Sequence, residues 1–240
     1  MSDIKKLQEL IDNSERIVFF GGAGVSTESG IPDFRSKDGL YNQKYDYPPE
    51  YMLSHACFFD HTDKFYEFYK DKMNVLDKEP NACHKYLKYL EDKNKLSMII
   101  TQNIDGLHEK AGSKNLALIH GTIYKNHCIE CGKVYDGEYI FNSKGIPKCS
   151  CGGVIKPDVV LYGESLPEEE YSKSIKALHE ADLLIVGGTS LTVYPAAGFI
   201  HYYGGKNIVM INKDETKFDQ IATLVFHEPI GEVFSKLKKD

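Results

Sequence analysis

Residues 22–36 read GAGVSTESGIPDFRS, and this stretch decides the fold. It directly follows the apolar run 17–20, which has the composition of a strand buried on both faces of a parallel sheet. Glycine has no Cβ, so the backbone N–H groups of such a loop can approach a phosphate, and a following helix adds its positive N-terminal end. Open α/β folds bind nucleotides at the carboxyl edge of the sheet. The stretch therefore predicts an α/β fold with a nucleotide-binding loop at that edge.

The same stretch differs from the dinucleotide fingerprint of dehydrogenases. Gly22-x-Gly24 is followed by Thr27, where a third glycine is expected. Dehydrogenases also carry an acidic residue about 20 residues further on, at the end of the second strand. Here residues 40–49 read LYNQKYDYPP, with no strand pattern that leads to an acid. A hydride-transfer enzyme is therefore the weaker interpretation.

The composition limits the class of protein. The 240 residues carry a formal net charge of −6, which argues against a general nucleic-acid binder, since such proteins gain affinity when Lys and Arg neutralise phosphates. No apolar run approaches the roughly 18 residues that span a bilayer, and no signal peptide is evident. Six cysteines in such a chain are better interpreted as thiols and metal ligands than as disulfides. We expect a cytoplasmic protein that binds neither membranes nor nucleic acid.

Strand and helix patterns alternate along most of the chain, which predicts a doubly wound parallel sheet of the Rossmann-like class. Helices are expected at 167–181 and at 234–239. Two stretches interrupt the alternation and are expected to lie outside the sheet: residues 36–80, with aromatic side chains at helical spacings, and residues 124–156, with four of the six cysteines. The apolar strand candidates are 17–20, 97–101, 116–119, 183–187, 208–212 and 224–226.

Four cysteines have the spacing of a zinc ribbon. Cys128-x-x-Cys131 and Cys149-x-Cys151 are separated by 17 residues, and glycines adjoin both pairs. Four thiolates leave zinc no open coordination position, so the predicted role of the metal is structural. The second pair is one residue tighter than the usual Cys-x-x-Cys, and we expect an altered local geometry there. The two remaining cysteines lie on helical patterns and are expected to be buried, inert thiols.

Polar residues follow two of the predicted strands. Residues 101–108 read TQNIDGLH, and the pair His120-Gly121 follows the strand candidate 116–119. Together with the glycine-rich stretch, the four cysteines, GTSL at 188–191 and the pair Ile211-Asn212, these motifs give the chain a close resemblance to the sirtuins. Sirtuins form the Sir2 family of NAD-dependent protein-lysine deacylases, and the resemblance is to those of bacterial type. It covers residues 15–225.

The resemblance implies two domains with a cleft between them. The larger is a Rossmann-like NAD-binding domain, and the smaller combines a helical module with a zinc-binding module. The implied boundaries are 1–35, 81–123 and 157–240 for the larger domain, 36–80 for the helical module and 124–156 for the zinc-binding module.

The implied reaction is acyl transfer from a protein lysine to NAD. Nicotinamide leaves, the acyl oxygen bonds to the ribose C1′, and the 2′-hydroxyl attacks the acyl carbon, which gives free lysine and O-acyl-ADP-ribose. His120 is the expected base, because an imidazole that is neutral near pH 7 can accept a proton from a ribose hydroxyl. By the same resemblance, Asn103 positions a water and the ribose, and Asp105 accepts a hydrogen bond from the nicotinamide amide.

Further residues are expected to contact NAD. By the resemblance, Ile104 packs beside the nicotinamide. By the same resemblance, Phe34 covers the nicotinamide site and so prevents the released nicotinamide from attacking again. Arg35 can reach the pyrophosphate as a fork-shaped donor. The remaining implied contacts belong to the glycine-rich loop and to later strand ends: Gly22, Ala23, Gly24, Thr27, Gln102, Thr189, Ser190, Asn212 and Lys213.

Residues 157–164 read PDVVLYGE and resemble the sirtuin segment that pairs with the substrate backbone as an added strand. The implied substrate contacts are Val160, Leu161 and Tyr162, with Val160 lining the acyl-lysine tunnel. We expect acetyl-lysine proteins or peptides to be the substrates, with some activity on longer apolar acyl groups. A succinyl preference is disfavoured, because Tyr69 is followed three residues later by Lys72, and lysine lacks the bidentate fork of arginine.

Two alternatives stay open. Mono-ADP-ribosyl transfer shares the nicotinamide-leaving step and differs in the acceptor, and the sequence separates it poorly from deacylation. A non-enzymatic zinc-ribbon interaction module on a degenerate nucleotide-binding fold is the third interpretation. The intact Asn103, Asp105 and His120 count strongly against it.

Overall fold

The computed structural model describes residues 2–34, 39 and 47–239. Short 3-10 helices cover Ala23–Ser29, Ala196–Tyr202 and Asp219–Ile221. In chain order, the strands within the described residues are β1 Ile17–Gly21, β2 Leu96–Thr101, β3 Leu116–Leu118, β4 Gly121–Cys128, β5 Val134–Asp136, β6 Ile155–Val159, β7 Leu183–Gly187, β8 Asn207–Ile211 and β9 Leu224–Phe226. The α-helices of the same residues are α1 Asp3–Asp12, α2 Pro49–Met52, α3 His55–Asp60, α4 Thr62–Met73, α5 Ala82–Asp92, α6 Leu107–Lys110, α7 Gly137–Asn142, α8 Glu168–Glu180 and α9 Ile230–Ser235.

The larger sheet is parallel throughout and has the strand order β3-β2-β1-β7-β8-β9. The order reverses between β1 and β7, so the loops that follow these two strands flank a crevice. Gly21 at the end of β1 pairs with Gly187 at the end of β7, which brings the two loops side by side. The predicted doubly wound parallel sheet is confirmed, and its strands lie within one residue of their predicted bounds.

Side chains of β1 supply the cores on both faces of this sheet. Ile17 and Phe19 pack on one face with α1, α5 and α9, whereas Val18 and Phe20 pack on the other with α8 and the 3-10 helix Ala196–Tyr202. All four are at most 1 % exposed. A strand covered on both faces requires a continuous apolar sequence, since neither alternate position can be polar. This requirement is why residues 17–20 could be recognised in advance.

The smaller sheet is antiparallel, with the order β5-β4-β6. Its hydrophobic cluster joins side chains of α3 and α4 to side chains of β4, α7 and β6. Within that cluster Tyr69 stacks between Phe65 and Phe141, with ring centroids 5.4 and 5.6 Å apart. The aromatic-rich and cysteine-rich stretches therefore share one core outside the larger sheet.

Two helical predictions differ from the structure. The predicted helix 167–181 is present as α8, but the helix predicted at 234–239 is α9, which begins at Ile230, directly after Pro229. Proline fixes the backbone at this boundary, and the buried side chains Ile230, Val233 and Phe234 set the helix face. The helix expected after the glycines is a seven-residue 3-10 helix.

No helix of the described residues is both long and apolar enough to cross a membrane.

Candidate active site

The glycine-rich loop lies in the crevice between β1 and β7. Gly22 N donates to Gly187 O at 3.2 Å, and Gly24 N donates to Gly188 O at 2.8 Å. A Cβ on Gly24 would lie 2.7 Å from the Cα of Gly188, so the two backbones can approach this closely only without side chains. The result is a cradle of bare backbone at the switch point of the sheet, where open α/β folds bind nucleotides, although the N–H groups of Gly22 and Gly24 are themselves bonded to Gly187 and Gly188.

A buried polar cluster joins this loop to the end of β2. The Ser26 hydroxyl donates to Asp105 Oδ2 at 2.6 Å and accepts from Asn103 Nδ2 at 3.1 Å. The second oxygen of Asp105 accepts from the N–H of Leu107 at 2.9 Å. Burial raises the pKa of Asp105, while the hydrogen bonds from Ser26 and Leu107 act in the opposite direction. Asn103, expected to position a water and the ribose, and Asp105, expected to accept from the nicotinamide amide, are thus held together through Ser26.

His120 lies at the same edge of the sheet, just after β3. Its Nδ1 is 3.0 Å from the carbonyl oxygen of Gln102, and because that oxygen can only accept, Nδ1 carries the proton. The Nε2 then has a free lone pair, and it has no hydrogen-bond partner within residues 2–34, 39 and 47–239. Burial lowers the pKa of His120, although the hydrogen bond to Gln102 opposes this shift. A neutral imidazole with an available Nε2 can act as a base at pH 7.

A chain of hydrogen bonds crosses the carboxyl ends of β2, β7 and β8. Gln102 Nε2 donates to Thr189 Oγ1 at 3.0 Å, and the Thr189 N–H donates to Asn212 Oδ1 at 2.8 Å. The Asn212 Nδ2 is buried and lacks an acceptor among the described residues. A buried donor without an acceptor costs about 1–3 kcal/mol, so this amide fits a nucleotide oxygen. The structure thus brings together Gln102, Thr189 and Asn212, three of the residues predicted to contact NAD.

Phe34 and Ile104 link this edge to the smaller sheet. Both are half-buried and pack against the hydrophobic cluster of the smaller sheet. The backbone of Ile104 is also hydrogen-bonded to β4 of the smaller sheet, since the Ile123 N–H donates to Ile104 O at 3.1 Å. Two predicted nicotinamide contacts therefore lie where the two cores meet.

The remaining predicted NAD residues are spread along the crevice. Ala23 and Thr27 lie in the 3-10 helix Ala23–Ser29, where the Thr27 hydroxyl donates to Gly24 O at 3.0 Å. Ser190 is exposed and pairs with the Thr192 hydroxyl at 2.8 Å. Lys213 is exposed just beyond Asn212. Arg35 lies outside the described residues.

The predicted substrate segment continues from β6 past the base. The Val160 N–H donates to His120 O at 2.9 Å, and the Tyr162 N–H donates to Leu53 O at 3.0 Å. Leu161 is 2 % exposed and belongs to the core of the smaller sheet. Its side chain therefore serves the core, which leaves Val160 and Tyr162, both half-buried, as the side chains that can face a substrate.

Glu164 ties this segment to two other elements. Its Oε2 accepts from the Leu161 N–H at 2.9 Å and from Lys156 Nζ at 3.2 Å, while Oε1 accepts from His55 Nδ1 at 3.0 Å. The pKa of Glu164 is lowered: burial acts to raise it, and the hydrogen bonds from Leu161, His55 and Lys156 outweigh that effect. The carboxylate thus connects the segment to β6 and α3.

The four predicted zinc ligands come together between the turns of the smaller sheet. Their Sγ atoms all lie within 4.8 Å of one another, and three of the pairs are 3.5–3.6 Å apart. A tetrahedral site with Zn–S bonds of about 2.3 Å places its sulfur atoms roughly 3.8 Å apart, so Cys128, Cys131, Cys149 and Cys151 fit zinc.

The tight Cys149-x-Cys151 pair is accommodated by its surroundings. The pKa of Cys149 is lowered to about 5 by the backbone N–H of Cys151 and the Tyr135 hydroxyl, which favours the thiolate. Gly152 adopts a φ of 89° in the turn, a region that favours glycine. Four protein ligands fill the coordination sphere of zinc, so the role of the metal is structural. The other two cysteines, Cys57 and Cys83, are buried as expected.

The sequence prediction omits Ser26, although its hydroxyl is the centre of the polar cluster. The available signal is a run of small hydroxyl residues between Gly24 and Gly30: Ser26, Thr27 and Ser29. Which of them turns toward Asp105 depends on the winding of the 3-10 helix. Local sequence does not specify that winding, so the choice required the tertiary structure.

The chain is similar to known proteins over nearly its whole length. The Sir2 family model matches residues 22–195. An NAD-dependent protein deacetylase of Clostridium acetobutylicum is 54 % identical over 237 residues, which cover 97 % of each chain. A solved structure of a Sir2 variant with a deacetylated p53 peptide and 3′-O-acetyl ADP ribose has a TM-score of 0.90 at 38 % identity, covering 97 % of this chain and 96 % of the other. A structure of Sir2 with p53 peptide and NAD+ has a TM-score of 0.86 at 37 % identity, with 98 % and 97 % covered. The chain belongs to the Sir2 family.

Proposed function

We propose that the chain is an NAD-dependent protein-lysine deacetylase that produces nicotinamide, O-acyl-ADP-ribose and free lysine. The observation that carries this proposal is the Nε2 of His120, which has no hydrogen-bond partner among the described residues and lies at the same sheet edge as the glycine cradle and the cluster of Ser26, Asn103 and Asp105. The clostridial relative is named for this activity, and the related Sir2 structure contains an acetyl ADP ribose with a deacetylated peptide. Both support the same reaction.

NAD supplies a ribose carbon that becomes reactive when nicotinamide leaves. In our proposal, Asn103 orients the ribose, and Asp105 binds the carboxamide and stabilises developing positive charge on the ribose. His120 accepts the proton of a ribose hydroxyl at Nε2, because Nδ1 already donates to Gln102. Phe34 and Ile104 exclude water from the nicotinamide side.

We place the acyl-lysine peptide between the two predicted domains. Residues 1–35, 81–123 and 157–240 would form the NAD-binding domain, and residues 36–80 and 124–156 the smaller one. The separate cores of the two sheets support a division into two domains, although β4 and β6 of the smaller sheet cross the proposed boundaries at 123 and 157. Val160 supports this location of the peptide, because its N–H donates to the backbone oxygen of His120. Cytoplasmic location and the lack of nucleic-acid binding stay predictions.

The acyl group is proposed to be acetyl, with some activity on longer apolar acyl groups. Tyr69 is fully buried between aromatic rings, and Lys70 donates to Ser143 O at 2.7 Å and Gly145 O at 2.6 Å. Lys72 pairs with Asp71 at 2.7 Å. These contacts engage the cations next to Tyr69 with protein oxygens, which disfavours their use for an acidic acyl tail.

The test is an incubation of the purified protein with an acetyl-lysine peptide, with and without NAD. Nicotinamide, O-acetyl-ADP-ribose and free lysine are followed by mass spectrometry. We expect all three in equal amounts, only with NAD, and a loss of more than about 100-fold in kcat for His120→Ala, as for removal of a general base. The NAD affinity of that variant should change little.

Other outcomes distinguish the alternatives. Nicotinamide release with labelled protein and no free lysine would indicate ADP-ribosyl transfer. Near-normal turnover by His120→Ala would contradict the assignment of the base. A succinyl peptide that reacts faster than its acetyl counterpart would overturn the proposed acyl preference.

A further inference from the structure

Asn81 contacts the glycine-rich loop although it lies outside every motif described above. It is the N-cap residue of α5, and its Oδ1 accepts from the Cys83 N–H at 3.0 Å. The other end of the same amide points away from the helix. There Nδ2 donates to Val25 O at 2.7 Å and to Ser29 Oγ at 3.1 Å. One side chain thus caps a helix and holds the loop.

The orientation of this amide is fixed by its partners. A carbonyl oxygen at Val25 accepts only from the NH₂ end, and the N–H of Cys83 donates only to the oxygen end. The backbone N–H of Asn81 in turn donates to the His84 Nδ1 at 3.3 Å, which completes a capping box. Asn81 is therefore anchored to α5, whose apolar face packs on the larger sheet.

The segment that Asn81 holds needs external contacts. A 3-10 helix has poorer hydrogen-bond geometry than an α-helix, and longer runs of it are uncommon. Here Ala23–Ser29 extends for seven residues. Gly24 is tied to Gly188, and the Glu28 carboxylate accepts from the Gly231 N–H at the start of α9. From the α5 side, the Asn81 amide holds Val25 and Ser29, on either side of Ser26.

We propose that Asn81 is a positioning residue for NAD. By holding Val25 and Ser29, it fixes the winding of the 3-10 helix, and with it the direction of the loop N–H groups and of the Ser26 hydroxyl. The inference rests on the proposed function, since the loop is the proposed phosphate cradle. Loss of the contact weakens NAD binding and leaves the binding of the acyl peptide unchanged.

Two substitutions separate this role from helix capping. Asn81→Asp and Asn81→Ser both keep an oxygen that can cap α5, because Asp and Ser are as good as Asn at an N-cap. Neither can donate from an amide to Val25 O. Asn81→Ser is uncharged, so an effect shared by both variants cannot come from a new negative charge near the phosphates. Asp136→Ala is the matched control, because it removes the cap of α7, where Asp136 accepts from the Tyr139 N–H at 2.8 Å.

The experiment measures NAD and acetyl-peptide dissociation constants by calorimetry, the two KM values, and amide hydrogen exchange. For both Asn81 variants we expect about a tenfold rise in the NAD dissociation constant and KM, an unchanged peptide dissociation constant, and faster exchange confined to Ala23–Ser29. Asp136→Ala should lower the unfolding temperature without changing NAD affinity.

Unchanged NAD affinity in both Asn81 variants would overturn the proposal, as would equal losses of NAD and peptide affinity. Failure of the proposed function looks different. In that case the wild-type protein itself binds no NAD or releases no free lysine, before any variant is compared.

Discussion

The two sheets of this molecule are stabilised in different ways. The larger sheet has six parallel strands covered on both faces, and its β1 side chains are almost fully buried. The smaller sheet has three antiparallel strands, and next to its cysteines Val134 is 57 % and Ile129 39 % exposed. Apolar burial therefore suffices for the first, whereas the outer part of the second depends on four thiolates and their metal.

This difference matters for the site, because each sheet carries a different part of it. The glycine-rich loop and the cluster around Asp105 lie at the edge of the larger sheet. The substrate segment continues from β6 of the smaller sheet. Damage to the metal site should therefore affect the peptide before it affects NAD.

Removal of zinc should have the largest effect, and it should damage the smaller sheet while the larger sheet keeps its structure. For Cys149→Ser we expect loss of bound zinc, loss of amide protection in β4, β5 and α7, and deacetylation reduced by more than about tenfold, since a structural zinc site contributes folding energy. NAD should still bind, because the larger sheet holds its own loop. Zinc content, hydrogen exchange and NAD calorimetry check this. Cys57→Ala is the control, a buried cysteine of the same core that is not a ligand. Full zinc content in Cys149→Ser would contradict the structural assignment.

A buried histidine pair beside the larger sheet should make the stability of the protein sensitive to mild acid. His84 and His108 are buried with ring centroids 4.7 Å apart, and neither His108 nitrogen has a partner among the described residues. Burial lowers the pKa of His84 to about 4, with a further contribution from Lys85, and burial together with His84 lowers the pKa of His108 well below its usual value.

These shifts set the sign of the pH effect. The unfolded state takes up protons below about pH 6.5, and the folded state does not, so the free energy of unfolding should fall by about 1.4 kcal/mol per pH unit for each histidine as pH drops toward 4. Urea unfolding at pH 6.5 and 5 checks this above the range where most carboxylates titrate. His108→Gln should remove the contribution of one histidine, about 1.4 kcal/mol per pH unit, while His84 and His120, whose pKa values are also lowered by burial, keep theirs. Equal stability of the wild-type protein at both pH values would show that the pair is not buried in its neutral form.

Glu164 tests the connection between the two regions, with the smallest expected effect. Glu164→Gln keeps the shape but removes the charge opposite Lys156, and both side chains of that pair are largely buried, at 20 % and 13 % exposed. We expect a loss of about 1–2 kcal/mol in stability and a severalfold rise in the peptide KM, with the KM for NAD unchanged. Glu228→Gln is the control, since its pair with Lys236 is exposed and such pairs contribute about 0–1 kcal/mol. A rise in the KM for NAD alone would contradict the link to the substrate segment.

Much of the fold could be predicted because its signals are local. An unbroken apolar run such as residues 17–20 specifies a strand covered on both faces, and Cys-x-x-Cys spacing specifies ligands of one metal. The position of α9 could not be predicted in the same way. Residues 234–239 gave a helical pattern, but the buried face of Ile230, Val233 and Phe234 decides where the helix lies.

The sequence by itself determined the strands of the larger sheet, the residue types at its carboxyl edge and the four metal ligands. Only the tertiary structure decided that Ser26 is the hydroxyl at Asp105, that Asn81 holds the glycine-rich loop and that Leu161 belongs to the core. The reason is physical: strand patterns arise between neighbours along the chain, whereas Ser26 and Asp105 are 79 residues apart and Asn81 and Val25 are 56 apart. Such hydrogen bonds exist only after the sheet has brought their partners together.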